Sequence, residues 1–463
     1  MNTSSTPTTY SLRREIPVEQ GYDIVVAGGG PAGCGAAICA SRLGAKVLLV
    51  EGVGCLGGMG TSSLVSVWLA LGDGERTIMG GVMAEILQRM LAIGGFRQGI
   101  DFDRSIRTLH GGVSFQPEVL KRLLDEMCVD AGVEIRFFTR VIDADVDDGV
   151  VNGVVVNNVE GHSFIKAKAF IDATGDAVLS TLCGVPCWEA GRDSEHIMPP
   201  TLCSAHAGID WSRFRGGDQQ AAVFKGIEDG FFTQKDRHVP GLFQSARTTA
   251  ILNAGHLFGM NAVKCRSLSD GMIQGRKFAD EYVRFYRQYM PGCEQMEFVA
   301  TAGLMGVRES RRIRGEYELN YEDFAARRSF PDQIAVFNAS VDIHVYDTSD
   351  EQWERYRTEY LEIDRPKAGE VYGLPYGILV PKGWTNLWVA GRCNSSDVKV
   401  GGAIRLQTAC YMMGQAAGTA AVQHLRTGEP ACDLNTAALI DTLRKHDAYL
   451  PQQETSRRIT RTS

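Results

Sequence analysis

The 463-residue chain has no Cys-x-x-Cys pair, which removes thioredoxin-like dithiols and the usual cysteine runs of iron–sulfur clusters. Its 12 cysteines are scattered, and the closest two, Cys183 and Cys187, have Pro186 between them. In a chain this long they describe free, mostly buried thiols in a reducing compartment and not a disulfide framework. Positive charge is also in short supply: 48 Lys and Arg face 55 Asp and Glu, for a net charge of −7. Nothing in that overall field recruits nucleic acid or an anionic membrane. No apolar run is fit to span a bilayer. Residues 24–41 and 406–422 are uncharged, but Gly28, Gly29, Gly30 and Pro31 break the first, and Gln407 and Gln415 lie in the second. The first twenty residues are rich in Ser and Thr and lack the apolar segment of a signal peptide. A soluble, cytoplasmic protein is expected. GxSxG is missing as well, and no histidine pair or carboxylate cluster has ligand spacing, so no metal is expected.

What the chain has in excess is glycine. The 52 glycines make up about one residue in nine, against a usual share of roughly 7%. They cluster beside strand-like runs, where backbone turns tightly or approaches a ligand. Composition is otherwise globular, 44% hydrophobic and 22% charged, and the length suits two or three folded units. Residues 22–27 read as an apolar strand, 31–43 as a helix of small residues and 46–50 as a second strand, together a βαβ unit. Pro117 opens a helix with Leu120, Leu123, Leu124 and Met127 on one face. Strands from 133 onward, separated at Asp148-Gly149 and Gly161-His162, read as an antiparallel meander, and 169–173 as a further buried strand. Residues 188–371 lack this regularity, which returns with a strand at 387–390 and a helix at 403–425.

The strongest local signal is Gly28-Gly29-Gly30-Pro31-Ala32-Gly33, a GxGxxG placed between a strand and a helix, with Glu51 ending the next strand. Gly28 allows the tight turn, Gly30 lets backbone approach a pyrophosphate, and Gly33 permits close helix–strand packing. The helix N-terminus offers unpaired N–H groups and partial positive charge to the phosphates. Glu51 suits ribose hydroxyls and repels a 2′-phosphate. Gly57-Gly58-Met59 and, after the meander, Ala173-Thr174-Gly175-Asp176 complete an order that resembles the FAD domain of glutathione-reductase-type flavoproteins. No second GxGxxG lies between a strand and a helix, so a dedicated NAD(P)H domain is not expected.

More narrowly, the chain resembles the bacterial FAD-dependent oxidoreductases. The likeness rests on YDIVVAGGGPAG at 22–33, LGGMGTSSLVS at 56–66, IDATGDA at 171–177, GVRESRRIRGEY at 306–317 and DIH at 342–344. YGLPYGILVPKG at 372–383, NLWVAGRCNSS at 386–396 and GGAIRLQTACYMMGQAAGTAA at 401–421 complete it. It implies an α/β fold, with a glutathione-reductase-type FAD-binding domain of parallel sheet and meander and an inserted α+β substrate domain. The division is a flexible tail at 1–20, FAD-binding segments at 21–66, 105–187 and 372–430, a substrate domain at 67–104 and 188–371, and a C-terminal helix and tail at 431–463. FAD is the implied cofactor. Its implied contacts, beyond the fingerprint, include Thr61, Val141, Gly391, Arg392, Gly402, Ala403, Ile404 and Arg405. If Ala403 begins the last long helix, Gly401 and Gly402 bring backbone to the isoalloxazine. The helix N-terminus then stabilises reduced flavin by about 1–2 kcal/mol. Arg405 would assist there or pair with a carboxylate. The chain departs from the family where a histidine often stands, at Val398, and where an arginine often follows the YxxPY motif, at Gly377.

The likeness makes His344 the first candidate for an acid/base group, with Asp342 on the same face of a strand; His256, between Gly255 and Leu257 and near Asn253 and Asn261, is the second. His110 and His206 have less context. Arg308 and Arg312, four apart, would share a helix face and meet one acidic group of a substrate. Cys393 reads as a packed thiol. The expected function is hydride transfer between a small organic substrate and flavin N5, with oxygen or another acceptor reoxidising the flavin. A flavin monooxygenase, an NAD(P)H-driven reductase and a non-catalytic flavin-binding protein are the alternatives. Gly391-Arg392-Cys393 stands where aromatic hydroxylases usually have Gly-Asp. The substrate, the acceptor and a possible homo-oligomer stay open.

Overall fold

A computed structural model describes residues 10–109, 111–192, 194–360 and 364–451. Its central sheet has five parallel strands in the order Leu387–Val389, Ala169–Asp172, Ile24–Ala27, Val47–Val50 and Glu134–Arg136. The first four are buried along their whole length, which is why they read as unbroken apolar runs: both faces of a parallel sheet are covered. Side chains alternate between two cores, as strand geometry requires. Ile24, Val26, Val47 and Leu49 pack with the helices Pro31–Arg42, Pro117–Ala131 and Gln407–Thr427. Val25, Leu48 and Val50 pack on the other side against Val151, Val154, Val156 and Ile165 of the meander.

The meander itself is antiparallel, Arg140–Asp147, Val150–Asn158 and Gly161–Lys166. Its first turn has positive φ at both Asp148 (44°) and Gly149 (76°), the backbone that a two-residue hairpin turn of matching twist demands. Part of the segment expected as a flexible tail is ordered in this sheet. Val18–Glu19 pairs in parallel with Phe164 and Ile165 as a fourth strand of this sheet.

A second antiparallel sheet, in the order Gly241–Gln244, Ala250–Asn253, Ser204–Ala207 and Glu297–Thr301, forms in the irregular middle of the chain. It shares a separate core with the helix Cys265–Tyr289, through Leu242, Leu252, Phe285 and Tyr286. The helix at Pro117 buries Leu120, Leu123, Leu124 and Met127 as its spacing predicts. The last long helix does not begin at Ala403. Gly402, Ala403 and Ile404 end a short helix, Val398–Ile404, capped by Asp397, and the long one starts at Gln407 after a break at Arg405 and Leu406. Asp397 supplies that early start, its Oδ1 accepting the Val400 N–H at 2.7 Å. Among the described residues no helix is long and apolar enough to cross a membrane.

The helices Pro31–Arg42 and Gln407–Thr427 touch backbone to backbone. A Cβ on Gly414 would fall 2.0 Å from the carbonyl oxygen of Ala32, and one on Gly418 2.3 Å from that of Ala36. Close packing, not chemistry, explains the small-residue stripe. Gly418→Ala should therefore cost about 1–3 kcal/mol through forced separation of the helices. Thermal unfolding should show it as a lower midpoint than wild type. Gly217→Ala is the control, because nothing lies within 4 Å of its Cβ position.

Candidate functional site

Both helix N-termini at this crossing open on one continuous cavity of about 560 Å³. Its first end is the glycine fingerprint. Gly28 has φ +98° and Gly33 is so close that its Cβ would lie 1.8 Å from the Gly28 carbonyl oxygen. The Cβ position of Gly30, in contrast, has only Gly58 Cα nearby, at 4.0 Å, so space is left above it for a ligand. No side chain caps the helix that follows and its first turn has no acidic residue, which leaves its N–H groups to an anion. Glu51 turns both carboxylate oxygens to the loop: Oε2 accepts the Gly29 N–H at 2.6 Å and Oε1 the Val53 N–H at 3.0 Å. Burial raises its pKa, against those N–H groups and Arg140, which lower it. An open cradle above glycine, an uncapped helix end and a carboxylate, Glu51, that lines the same cavity fit FAD.

Gly28, Gly30, Pro31, Ala32, Glu51, Gly58, Met59, Ala173, Thr174, Gly175, Gly391, Arg392 and Arg405 all line this cavity, as the sequence suggests. The other expected contacts do not line it, each for a local reason. Gly57 donates its N–H to Gly29 and Thr61 Oγ1 donates to the Leu56 carbonyl. Val141 packs in the meander core. Asp176 pairs with Arg392 at 2.8 Å. Gly402 is pressed on the Asp342 carbonyl, 2.9 Å from its Cβ position, and Ala403 and Ile404 are buried in the helical core. The helix end that faces the cavity is the one at Gln407, with Leu406 and Gln407 in the wall. Arg405 pairs with Asp342 Oδ2 at 2.9 Å. Cys393 is buried outside the cavity wall as a packed thiol.

The opposite end of the cavity is lined by Asp236, His238, His256, Arg308, Asp342 and His344. His256 Nε2 and His344 Nδ1 are 2.8 Å apart, which joins the two candidate histidines across 88 residues of sequence. His256 Nδ1 lies 3.0 Å from Asp236 Oδ2, and His344 Nε2 lies 3.5 Å from Asp342 Oδ1. Asp342 and His344 do sit together, but on irregular backbone and not on a strand. Four of the five N–H groups of Arg308 are engaged: Nε donates to His344 Nε2 at 3.1 Å, Nη1 to the Pro199 carbonyl at 2.7 Å and to Thr201 Oγ1 at 2.9 Å, and Nη2 to Asn253 Oδ1 at 3.3 Å. Arg312 is elsewhere. Residues 311–313 form a strand, so the helical spacing fails, and Arg312 binds Glu309 at 3.0 Å and the Ser396 carbonyl at 2.9 Å.

Electrostatics keep this end charged but balanced. Burial, followed by Arg405, brings Arg308 down to about 10. Burial opposes ionisation of Asp236 and Asp342, yet the histidines and, at Asp342, Arg405 and Arg308 hold both well below the usual carboxylate range. Half of Asp342's side-chain surface is open, and it is open to the cavity. His344 is pushed well below its ordinary value by burial and then by Arg308, and His238 falls to about 4 through burial and His256. Asp236 and His238 are absent from the sequence reading. They lie in Lys235-Asp236-Arg237-His238, a charged stretch without periodicity whose burial only the tertiary fold creates. The ring nitrogens of His238, His256 and His344 converge within 4.8 Å, although no sequence spacing joins them. His206 is remote in the second sheet, bonded to Ser204 Oγ at 2.8 Å, and His110 lies outside the described residues.

Residues 23–444 match the family model described as FAD dependent oxidoreductase. A digeranylgeranylglycerophospholipid reductase of Methanospirillum hungatei is 28% identical over 231 residues, 44% of this chain and 55% of the relative. Fumarate reductase (cytochrome) of Shewanella frigidimarina is 30% identical over 189 residues, 33% of each. The chain thus spans between a third and about half of the length of these curated relatives. The solved structure of the flavin-dependent brominase Bmp2 covers 92% of this chain, which covers 83% of it in turn, at a TM-score of 0.48 and 13% identity.

The buried neutral imidazoles set a pH dependence. His206 and His238 each hold a folded-state value of about 4, against roughly 6.5 in an unfolded chain. The unfolded state binds more protons between those values, so stability falls as pH drops from about 6.5 to about 4. The depressed Asp236 and Asp342 carry the loss on below roughly pH 3.9, where the unfolded carboxylates take up protons first. Thermal midpoints measured from pH 8 to pH 4 should be flat at first and then decline from about 6.5. His206→Gln, outside the cavity, should soften that decline.

Proposed function

The chain belongs to the FAD dependent oxidoreductase family, and on that premise we propose a flavin enzyme working in the reducing direction on a small, unsaturated organic acid. The observation that carries this reading is a single cavity running from the dinucleotide cradle at Gly30 to a buried guanidinium, Arg308. Bound FAD supplies two-electron hydride chemistry there. The helix end after Gly30 and the carboxylate of Glu51 would hold it. Pro199, Thr201, Asn253 and His344 take four of the five N–H groups of Arg308 and fix its plane, and the remaining Nη2 N–H is the donor it would offer a carboxylate. The apolar wall at Val65, Val67, Leu69 and Phe243 excludes water from the reacting carbon. Two relatives whose names describe reductases support the direction.

A second reading, dehydrogenation of an alcohol or amine, is favoured by one feature: His238 is held neutral, so its imidazole can accept a proton. Anaerobic spectroscopy separates the two. FAD-loaded protein should be bleached by dithionite, and the flavin band should return when an α,β-unsaturated carboxylic acid is added without oxygen. Bleaching of the oxidised protein by an alcohol, sugar or amine, with no return on any unsaturated acid, would overturn the reducing direction. NADH and NADPH tested in the same cuvette identify the electron source. A preparation supplemented with FAD that shows no flavin band would remove the cofactor from the argument altogether.

A further inference from the structure

Resting on that flavin reading, we propose that His238 is the proton-transfer residue of the site, moving the substrate's proton between the inner cavity and an outer pocket. The argument runs on hydrogen-bond direction. Arginine only donates, so His344 Nε2, the acceptor of the Arg308 Nε–H at 3.1 Å, is unprotonated. The hydrogen of His344 therefore sits on Nδ1 and is donated to His256 Nε2 at 2.8 Å. His256 in turn carries its hydrogen on Nδ1, 3.0 Å from Asp236 Oδ2. The lone pairs of both rings are taken, that of His344 Nε2 by Arg308 and that of His256 Nε2 by His344. The two histidines that sequence singles out have no lone pair to offer a substrate.

His238 differs. Its Nδ1 lies 3.0 Å from the Val239 carbonyl oxygen, which only accepts, so the hydrogen is on Nδ1 and Nε2 keeps its lone pair. The nearest polar neighbour of that lone pair is Tyr356 Oη at 3.4 Å, a long contact that a substrate or water displaces. Asp236, His256, His344, Arg308 and Asp342 are charged and titratable groups around the ring, with the His344 ring centroid 4.8 Å away. The ring stands in a wall. His238 and Val239 line the inner cavity and also a second pocket of about 470 Å³ bounded by Gln220, Phe224, Trp353 and Tyr356.

The proton balance closes at this atom. In the reducing direction Nε2 takes a proton from water of the outer pocket and gives it to one alkene carbon. The π bond breaks, its electron pair forms that C–H bond, and the other carbon receives the hydride. His238 ends neutral, as it began. Run backward, Nε2 accepts the proton and releases it outward. A divalent metal on the three histidines is the competing use of the cluster. It would add two positive charges where two guanidiniums, Arg308 and Arg405, already balance Asp236 and Asp342.

Diethyl pyrocarbonate, which acylates imidazole lone pairs, tests this without knowledge of the substrate. FAD-loaded protein treated at pH 6 should show carbethoxylation of His238 by peptide mass spectrometry at least tenfold faster than of His256 or His344. Equal labelling of the three, or sparing of His238, overturns the proposal. So does one equivalent of tightly bound divalent metal that protects all three rings. With an unsaturated acid that restores the flavin band, His238→Ala should slow the return about 100-fold, and millimolar imidazole should recover much of it through the outer pocket. An unslowed His238→Ala overturns the assignment. Loss of the flavin band in wild-type protein defeats the flavin reading instead, and the labelling pattern stands apart from it.

Discussion

The structure depends on one close approach, the backbone contact between the helix after the fingerprint and the helix that begins at Gln407. The two are separated by more than 360 residues of chain, and only glycine at 414 and 418 lets them meet at carbonyl distance. Because both point their N-termini the same way, the contact delivers two positive helix ends to one cavity. The ends of the central sheet and the inserted sheet then border that cavity, while the meander packs on the far face of the central sheet. The cavity's ligand-binding end comes from the fingerprint and its reactive end from the irregular middle.

The reactive end shows how a crowded polar cluster is made tolerable in a buried place. Two carboxylates face two guanidiniums, and burial keeps His238 and His344 uncharged among them. Arg308 is the hub, since its single Nε–H decides where the hydrogens of His344 and His256 must lie. A lysine in its place would supply a rotating ammonium with no fixed donor direction, and the order of the chain to Asp236 would be lost. Positioning in this site is therefore achieved by donor polarity as much as by distance.

Much of this was legible in the chain itself. The βαβ unit, the fingerprint, Glu51 and Ala173-Thr174-Gly175 are local patterns whose physics acts over a few residues, and they line the cavity where expected. Family likeness points to His344 and local context to His256, and the two rings meet. The misses share a cause. Arg312 read as a helical partner of Arg308 because periodicity cannot see a strand that follows a turn. Ala403 read as a helix start because the cap at Asp397 lies among polar residues that look like loop. Asp236 and His238 carried no signal at all. Their role comes from burial beside residues 20 and more than 100 positions away, and no spacing rule encodes that. The convergence of three histidines has the same origin.

The balance of charge at the inner end has a thermodynamic corollary. A chamber that is neutral overall gains a net charge the moment an anion enters it. The imidazole beside that anion then becomes a better base, and part of the ligand's charge is met by a proton drawn from the buffer. Binding and proton uptake are thus linked functions of the same site. The apparent affinity for a fully ionised acid will fall with rising pH, and the heat of binding will vary with the ionisation enthalpy of the buffer, although neither ligand nor guanidinium titrates in that range.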